Sequence, residues 1–86
     1  MYKIGLSKKV LKFLEKHKGE KIINSFNNSL KILQINPYKN NLDFKKLKGV
    51  GENFRLRIGK YRFIYEINND TLIIYFIDGD TRGDIY

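Results

Sequence analysis

At residue 53 the spacing of apolar side chains changes from every third or fourth position to every second, which divides the chain into a helical part and a sheet part. Phe54, Leu56 and Ile58 alternate with Arg55 and Arg57, and after Gly59-Lys60 the alternation resumes with Tyr61, Phe63, Tyr65 and Ile67. Glycine first in a two-residue loop suits a type II′ turn, whose twist matches that of hairpin strands. The register follows: Ile58 opposite Tyr61, Arg57 opposite Arg62, Leu56 opposite Phe63, Arg55 opposite Ile64. One face then carries only apolar and aromatic residues and must be covered. The other carries Arg55, Arg57, Arg62, Ile64 and Glu66. Asn68-Asn69-Asp70 reads as a second turn and Thr71–Ile77 as a further strand. A two-residue loop there places Ile73, Tyr75 and Ile77 on the arginine face; a three-residue loop reverses them.

The cover comes from the first half. Residues 2–6 alternate as a short strand, and Ser7 stands at an N-cap position before Val10, Phe13, Leu14 and His17 at helical spacing. Gly19 fits the end of that helix. A second helix begins near Glu20, buries Ile22, Ile23, Phe26, Leu30 and Leu33 on one stripe, and stops before Pro37. Residues 38–43 are polar and read as loop. The expected fold is α+β in the order β-α-α-β-β-β: a largely antiparallel sheet with a helical hairpin on one face, in one domain spanning residues 1–86.

Composition narrows the chemistry. The chain has no cysteine and one histidine, so neither a disulfide nor an all-protein zinc site is expected, and no cofactor is implied. Its longest apolar run is six residues, 72–77, far below the roughly 20 needed to span a bilayer. The N-terminus lacks an apolar signal segment, so a cytoplasmic protein without membrane contact is expected. The net charge of +8 favours an anionic partner.

That charge is not uniform. Residues 1–43 hold nine lysines and no arginine; all four arginines fall between 55 and 82. A guanidinium offers a planar fork that matches phosphate oxygens, which a lysine point charge does not. Two unit charges about 5.5 Å apart in water repel by roughly 0.8 kcal/mol, so the facing Arg57–Arg62 pair carries a small cost that a phosphate between the forks removes. Surface salt bridges to Glu66 or Asp78 are the alternative. His17 lies at the edge of the first helix's apolar stripe and reads as structural.

Three segments resemble the RelE/ParE superfamily of small bacterial and archaeal toxins. Lys46-Leu47-Lys48-Gly49 is similar to that family's KLxG lead-in, Phe54–Tyr65 to YRxRxGxYRxIY, and Arg82-Gly83-Asp84-Ile85-Tyr86 to a closing R-x-[DE]-[VI]-Y. Thr81 departs from the pattern, since many members carry histidine before the closing arginine. In the RelE branch, members cut mRNA in the ribosomal decoding site without a metal. The 2′-hydroxyl attacks its own phosphate, leaving a 2′,3′-cyclic phosphate and a 5′-hydroxyl. The resemblance implies that Arg55 and Arg57 stabilise the transition state, Arg62 binds phosphate, Arg82 contacts phosphate or leaving group, and Tyr86 serves as general base. Lys46, Lys48 and Lys60 would add contacts to the RNA backbone.

The same resemblance implies partners: the ribosome and mRNA, and an antitoxin whose acidic, partly disordered segment folds onto the toxin as a tight heteromer. DNA would be met only through the antitoxin. Two other functions remain open: a ParE-like inhibitor of DNA gyrase, and an inactive module that binds its antitoxin for autoregulation.

Overall fold

The structure, a computed structural model, describes residues 1–49 and 51–80. The described residues form β1 (Lys3–Leu6), α1 (Lys8–Lys16), α2 (Lys21–Ile35), β2 (Asp43–Lys46), β3 (Asn53–Ile58), β4 (Tyr61–Asn68) and β5 (Ile73–Asp80). The five strands make one sheet in the order β1-β5-β4-β3-β2, antiparallel except where β1 runs parallel to β5. Both helices pack on one face, as the periodicity predicts. Val10 and Phe13 of α1 and Ile22, Phe26 and Leu33 of α2 share one core with Phe54, Leu56, Phe63, Tyr65, Ile67, Ile74 and Phe76 of the sheet.

Local signals set the helix ends. Ser7 Oγ accepts a hydrogen bond from Val10 N at 3.2 Å, satisfying one of the first-turn amides that a helix leaves open. Gly19 lies at φ +86° between the helices, where a side chain would be strained. Asn36 is extended ahead of Pro37, which ends α2. The inter-helix turn is tied to the tip of the β3–β4 hairpin: Glu20 Oε1 lies 3.1 Å from His17 Nδ1 and accepts from the Tyr61 hydroxyl at 3.2 Å. His17 packs against Phe13 at a ring separation of 4.3 Å, which gives it the structural place expected.

The β3–β4 register is the one read from the sequence, with Arg57 opposite Arg62 and Arg55 opposite Ile64. Two features differ from expectation. Asp43, expected to end the loop over residues 38–43, instead begins the edge strand β2, for which the sequence gives no expectation. The turn before β5 has four residues, 69–72, with Leu72 at φ +55° and Asn68 Oδ1 accepting from the amides of Asp70 and Thr71. Four residues preserve the parity of a two-residue loop, so Tyr75 stands opposite Glu66 and Ile74 is buried. A bulge between Ile64 and Tyr65 then shifts the pairing. Beyond it Asp78 faces Ile64, Gly79 faces Phe63 and Asp80 faces Arg62.

Candidate functional site: an arginine row on the open sheet face

Strand alternation and the two-residue turn put Arg55, Arg57 and Arg62 on the face away from the helices. Strand β2 completes the arrangement. Asp43 stands opposite Arg57 and Lys45 opposite Arg55, so both belong to the arginine face. Across four strands, Asp43, Arg57, Arg62 and Asp80 occupy one transverse row. The like-charged pair at the centre is therefore flanked on both sides by carboxylates in the register, which offsets the cross-strand repulsion.

The three arginines are held differently. Arg57 is half exposed and donates from Nε to Asp43 Oδ2 at 2.5 Å. Arg55 is buried, 8% exposed, with a terminal nitrogen 3.5 Å from Asp43 Oδ1. A buried guanidinium needs a counter-charge, and Asp43 provides it. Arg62 lies back over the hairpin turn, one terminal nitrogen 3.4 Å from the carbonyl oxygens of both Gly59 and Tyr61. Its Nε is buried and has no hydrogen-bond partner among the described residues. The Arg57 hydrogen bond, reinforced by the charges of Arg57, Arg55 and Arg62, holds the Asp43 carboxyl below its ordinary value.

Arg55, Arg57 and Arg62 thus come together as the sequence predicts, but the lysines divide. Lys46 stands opposite Phe54, in the register of the helix-covered face, and its Nζ lies 3.3 Å from Glu52 Oε1. Lys60 leans over the Tyr61 ring, 5.6 Å from its centroid, and Lys48 is exposed in the loop after β2. Thr81, Arg82 and Tyr86 lie outside the described residues. Sequence reasoning misses Asp43 and Lys45 because amides and charges surround the two apolar residues of this segment. The available signal was the alternation of Leu42 and Phe44, both of which pack against the core.

An arrangement of this kind can bind an oxyanion and stabilise charge that develops on it. Among the described residues, Tyr61 and Tyr65 offer little for proton transfer. Burial pushes the Tyr65 phenol up, and burial together with Glu20 raises Tyr61, so neither readily forms a phenolate. No three His, Cys, Asp or Glu side chains cluster as metal ligands among the described residues. A groove of about 640 Å³ lies elsewhere, between β1 and α2, lined by Lys3, Ile4, Asn27, Leu30, Lys31 and Gln34. No described helix is long and apolar enough to cross a membrane.

No protein-family model matches the chain. Individual proteins do. It is 36% identical over 74 residues to the Methanocaldococcus jannaschii protein named "Putative toxin RelE1", covering 85% of this chain and 81% of that one. It is 50% identical over 32 residues to "Toxin RelE3" of the same organism, a match covering 37% of this chain and only 36% of that toxin's length. Among solved structures, the archaeal RelE–RelB complex from Pyrococcus horikoshii OT3 has a chain superposing with a TM-score of 0.83 at 29% identity, over 96% of this chain and 97% of that one. The isolated E. coli RelE toxin shares the fold at a TM-score of 0.78 and 17% identity, over 95% of this chain and 85% of that one. Sequence identity above the level of shared fold, extending over most of both chains, places this chain in the RelE family of toxins.

Proposed function

We propose that this chain is the toxin of a toxin–antitoxin pair and acts as a metal-independent endoribonuclease on mRNA in the ribosome. The observation that carries this reading is the cross-strand Arg57–Arg62 pair with Arg55 beside it, on the sheet face that the helices leave open. Attack of a ribose 2′-oxygen forms the O2′–P bond and breaks the P–O5′ bond, giving a 2′,3′-cyclic phosphate and a 5′-hydroxyl. The pentacoordinate phosphate between these steps gathers negative charge on its equatorial oxygens. Fixed cations suit that charge, because guanidinium groups need no reorientation as it develops.

Arg62 and the outer nitrogens of Arg57 are the phosphate-binding groups in this reading, with Arg55 contributing its field from within the sheet. Arg82 would offset the negative charge on the leaving oxygen, which takes a proton from water to become the 5′-hydroxyl. Tyr86 would take the 2′-hydroxyl proton, a role that the raised phenols of Tyr61 and Tyr65 suit poorly. Lys45, Lys48 and Lys60 would meet the flanking RNA backbone, and the ribosome would hold the mRNA in line for attack. The solved RelE–RelB complex of P. horikoshii supports an antitoxin partner here as well. An acidic antitoxin segment would cover the basic surface, and residues 1–86 would act as one domain in the cytoplasm.

Induced expression without antitoxin tests the function, with mRNA 5′ ends mapped during translation. Growth should stop, new ends should appear inside translated codons, and Arg62→Ala should abolish them. Intact mRNA with reduced DNA supercoiling would overturn the nuclease reading in favour of gyrase. Growth arrest with neither effect would overturn both.

A further inference from the structure

The site contains a carboxylate that phosphate chemistry does not call for. Asp43 offers its two oxygens to two different arginines, Oδ2 to Arg57 Nε at 2.5 Å and Oδ1 to an Arg55 terminal nitrogen at 3.5 Å. Its own position is well determined. The loop before β2 is braced by Asn36 Oδ1, which accepts from the amides of Tyr38 and Lys39, and by Asn40 Oδ1, which accepts from Leu42 N. Phe44, next in the chain, packs against the core and locks the register that sets Asp43 opposite Arg57.

The choice of nitrogen matters. Nε is the inner donor of a guanidinium, close to the stem. A carboxylate bound there fixes the plane of the Arg57 fork and leaves both terminal nitrogens for another acceptor; among the described residues they have none. A fork left to rotate would have to be ordered by the phosphate itself, losing the benefit of a preorganised site.

We infer that Asp43 is a positioning residue of the arginine site, clamping Arg57 and Arg55 from the β2 side so that the Arg57 terminal nitrogens face the phosphate. The inference rests on the phosphate-binding reading of that site. Asp43 acts through the arginines rather than on the phosphate, and its negative charge weakens ground-state binding of an anion. Clamping and charge therefore pull in opposite directions. Removing the carboxylate loosens the fork, which slows the chemical step, while also raising the attraction for RNA.

Asp43→Asn separates these effects. In single-turnover cleavage of ribosome-bound mRNA, the rate should fall about tenfold, as for other supporting groups that orient a catalytic side chain. RNA affinity at low salt should stay equal or rise. Asp43→Glu, which keeps the charge, should recover part of the rate. A second arm needs no cleavage: titration of inorganic phosphate followed by the arginine Nε–H signals in NMR. In the wild type, the Arg57 Nε–H should be sharp and little moved by phosphate. In Asp43→Asn it should broaden before addition and shift on addition. A wild-type chain that binds phosphate but cuts no RNA sinks the nuclease reading, with this second arm still deciding Asp43. Unchanged cleavage and unchanged Nε–H behaviour in Asp43→Asn would overturn the inference alone. In the wild type the Arg62 Nε–H, which has no partner among the described residues, should shift on phosphate addition even though that of Arg57 does not; a wild type in which no arginine signal responds would overturn the inference together with the site.

Discussion

Arg55 and Arg57 are two residues apart on the same strand face, yet truncating them should have very different effects on stability. Arg55 is 8% exposed, whereas the Arg57 side chain is 50% exposed. Arg55→Ala removes two buried stem methylenes, Cγ and Cδ, worth about 0.8 kcal/mol each, so roughly 1.6 kcal/mol together. Loss of its long contact to half-exposed Asp43 adds about 0–1 kcal/mol, because Arg57 still accompanies that carboxylate. The expected total is about 2–3 kcal/mol, against about 4–13 kcal/mol for a domain of 86 residues at typical stability. Arg57→Ala should cost about 0–1 kcal/mol, since its stem is already in water. The measurement is urea unfolding followed by far-ultraviolet circular dichroism. With a slope near 1 kcal/mol/M, the midpoint of Arg55→Ala should drop by about 2–3 M and that of Arg57→Ala by less than about 1 M. Arg55→Met, which restores an apolar stem without the charge, should recover most of the loss. Equal shifts for the two alanine variants, or a methionine variant as weak as the alanine one, would refute the account of Arg55 as a buried stem with a paired head.

The remaining predictions concern the core and acid behaviour. A Cβ on Gly79 would lie 3.0 Å from Cδ1 of the fully buried Phe63 and 3.6 Å from Phe13, so Gly79→Ala should overpack the site and cost about 1–3 kcal/mol, read as a lower melting temperature. Asp43 is lowered from 3.8, mainly by its bond to Arg57, and Glu20 from 4.5, mainly by its bond to His17. Their stabilising contributions are complete above those unfolded values and are lost as pH falls through the lower folded ones. Stability should therefore decline on acidification below about pH 4. The double variant Asp43→Asn/Glu20→Gln should flatten that decline in urea midpoints measured from pH 6 to pH 2.

The hairpin was legible because three independent signals agree on it: alternation, a Gly-first turn, and a face that is apolar from Phe54 to Ile67. With the turn fixed, the Arg57–Arg62 pairing followed from register alone. Strand β2 was not legible. Four residues at a sheet edge carry little period, and the apolar partners that reveal it, Leu42 and Phe44, are interspersed with charges. Without β2 a counter-charge of the site stays hidden: the sequence offers Glu66 and Asp78 as arginine partners, whereas Asp43 fills that role for Arg55 and Arg57. The bulge at Ile64/Tyr65 was also beyond sequence pattern, because it depends on how β5 meets β4 and not on either strand's own alternation. Helix ends were readable wherever one residue had a single physical role, as with Ser7 and Pro37.

The parallel pairing of β1 with β5 bears on how such a chain is made. Lys3 pairs with Ile73, and Ser7 donates from Oγ to the Ile77 carbonyl 70 positions away. Closing a loop of that length costs roughly 4 kcal/mol of chain entropy, whereas the β3–β4 hairpin closes over two residues. During synthesis the basic hairpin can therefore form while β1 still lacks its neighbour, and α1, which packs mainly on β5, has nowhere to bury Val10 and Phe13. Of the described strands, the one translated last completes the sheet. A chain interrupted before β5 would hold its arginines without the framework that orders them, and would meet proteases before it could meet a substrate.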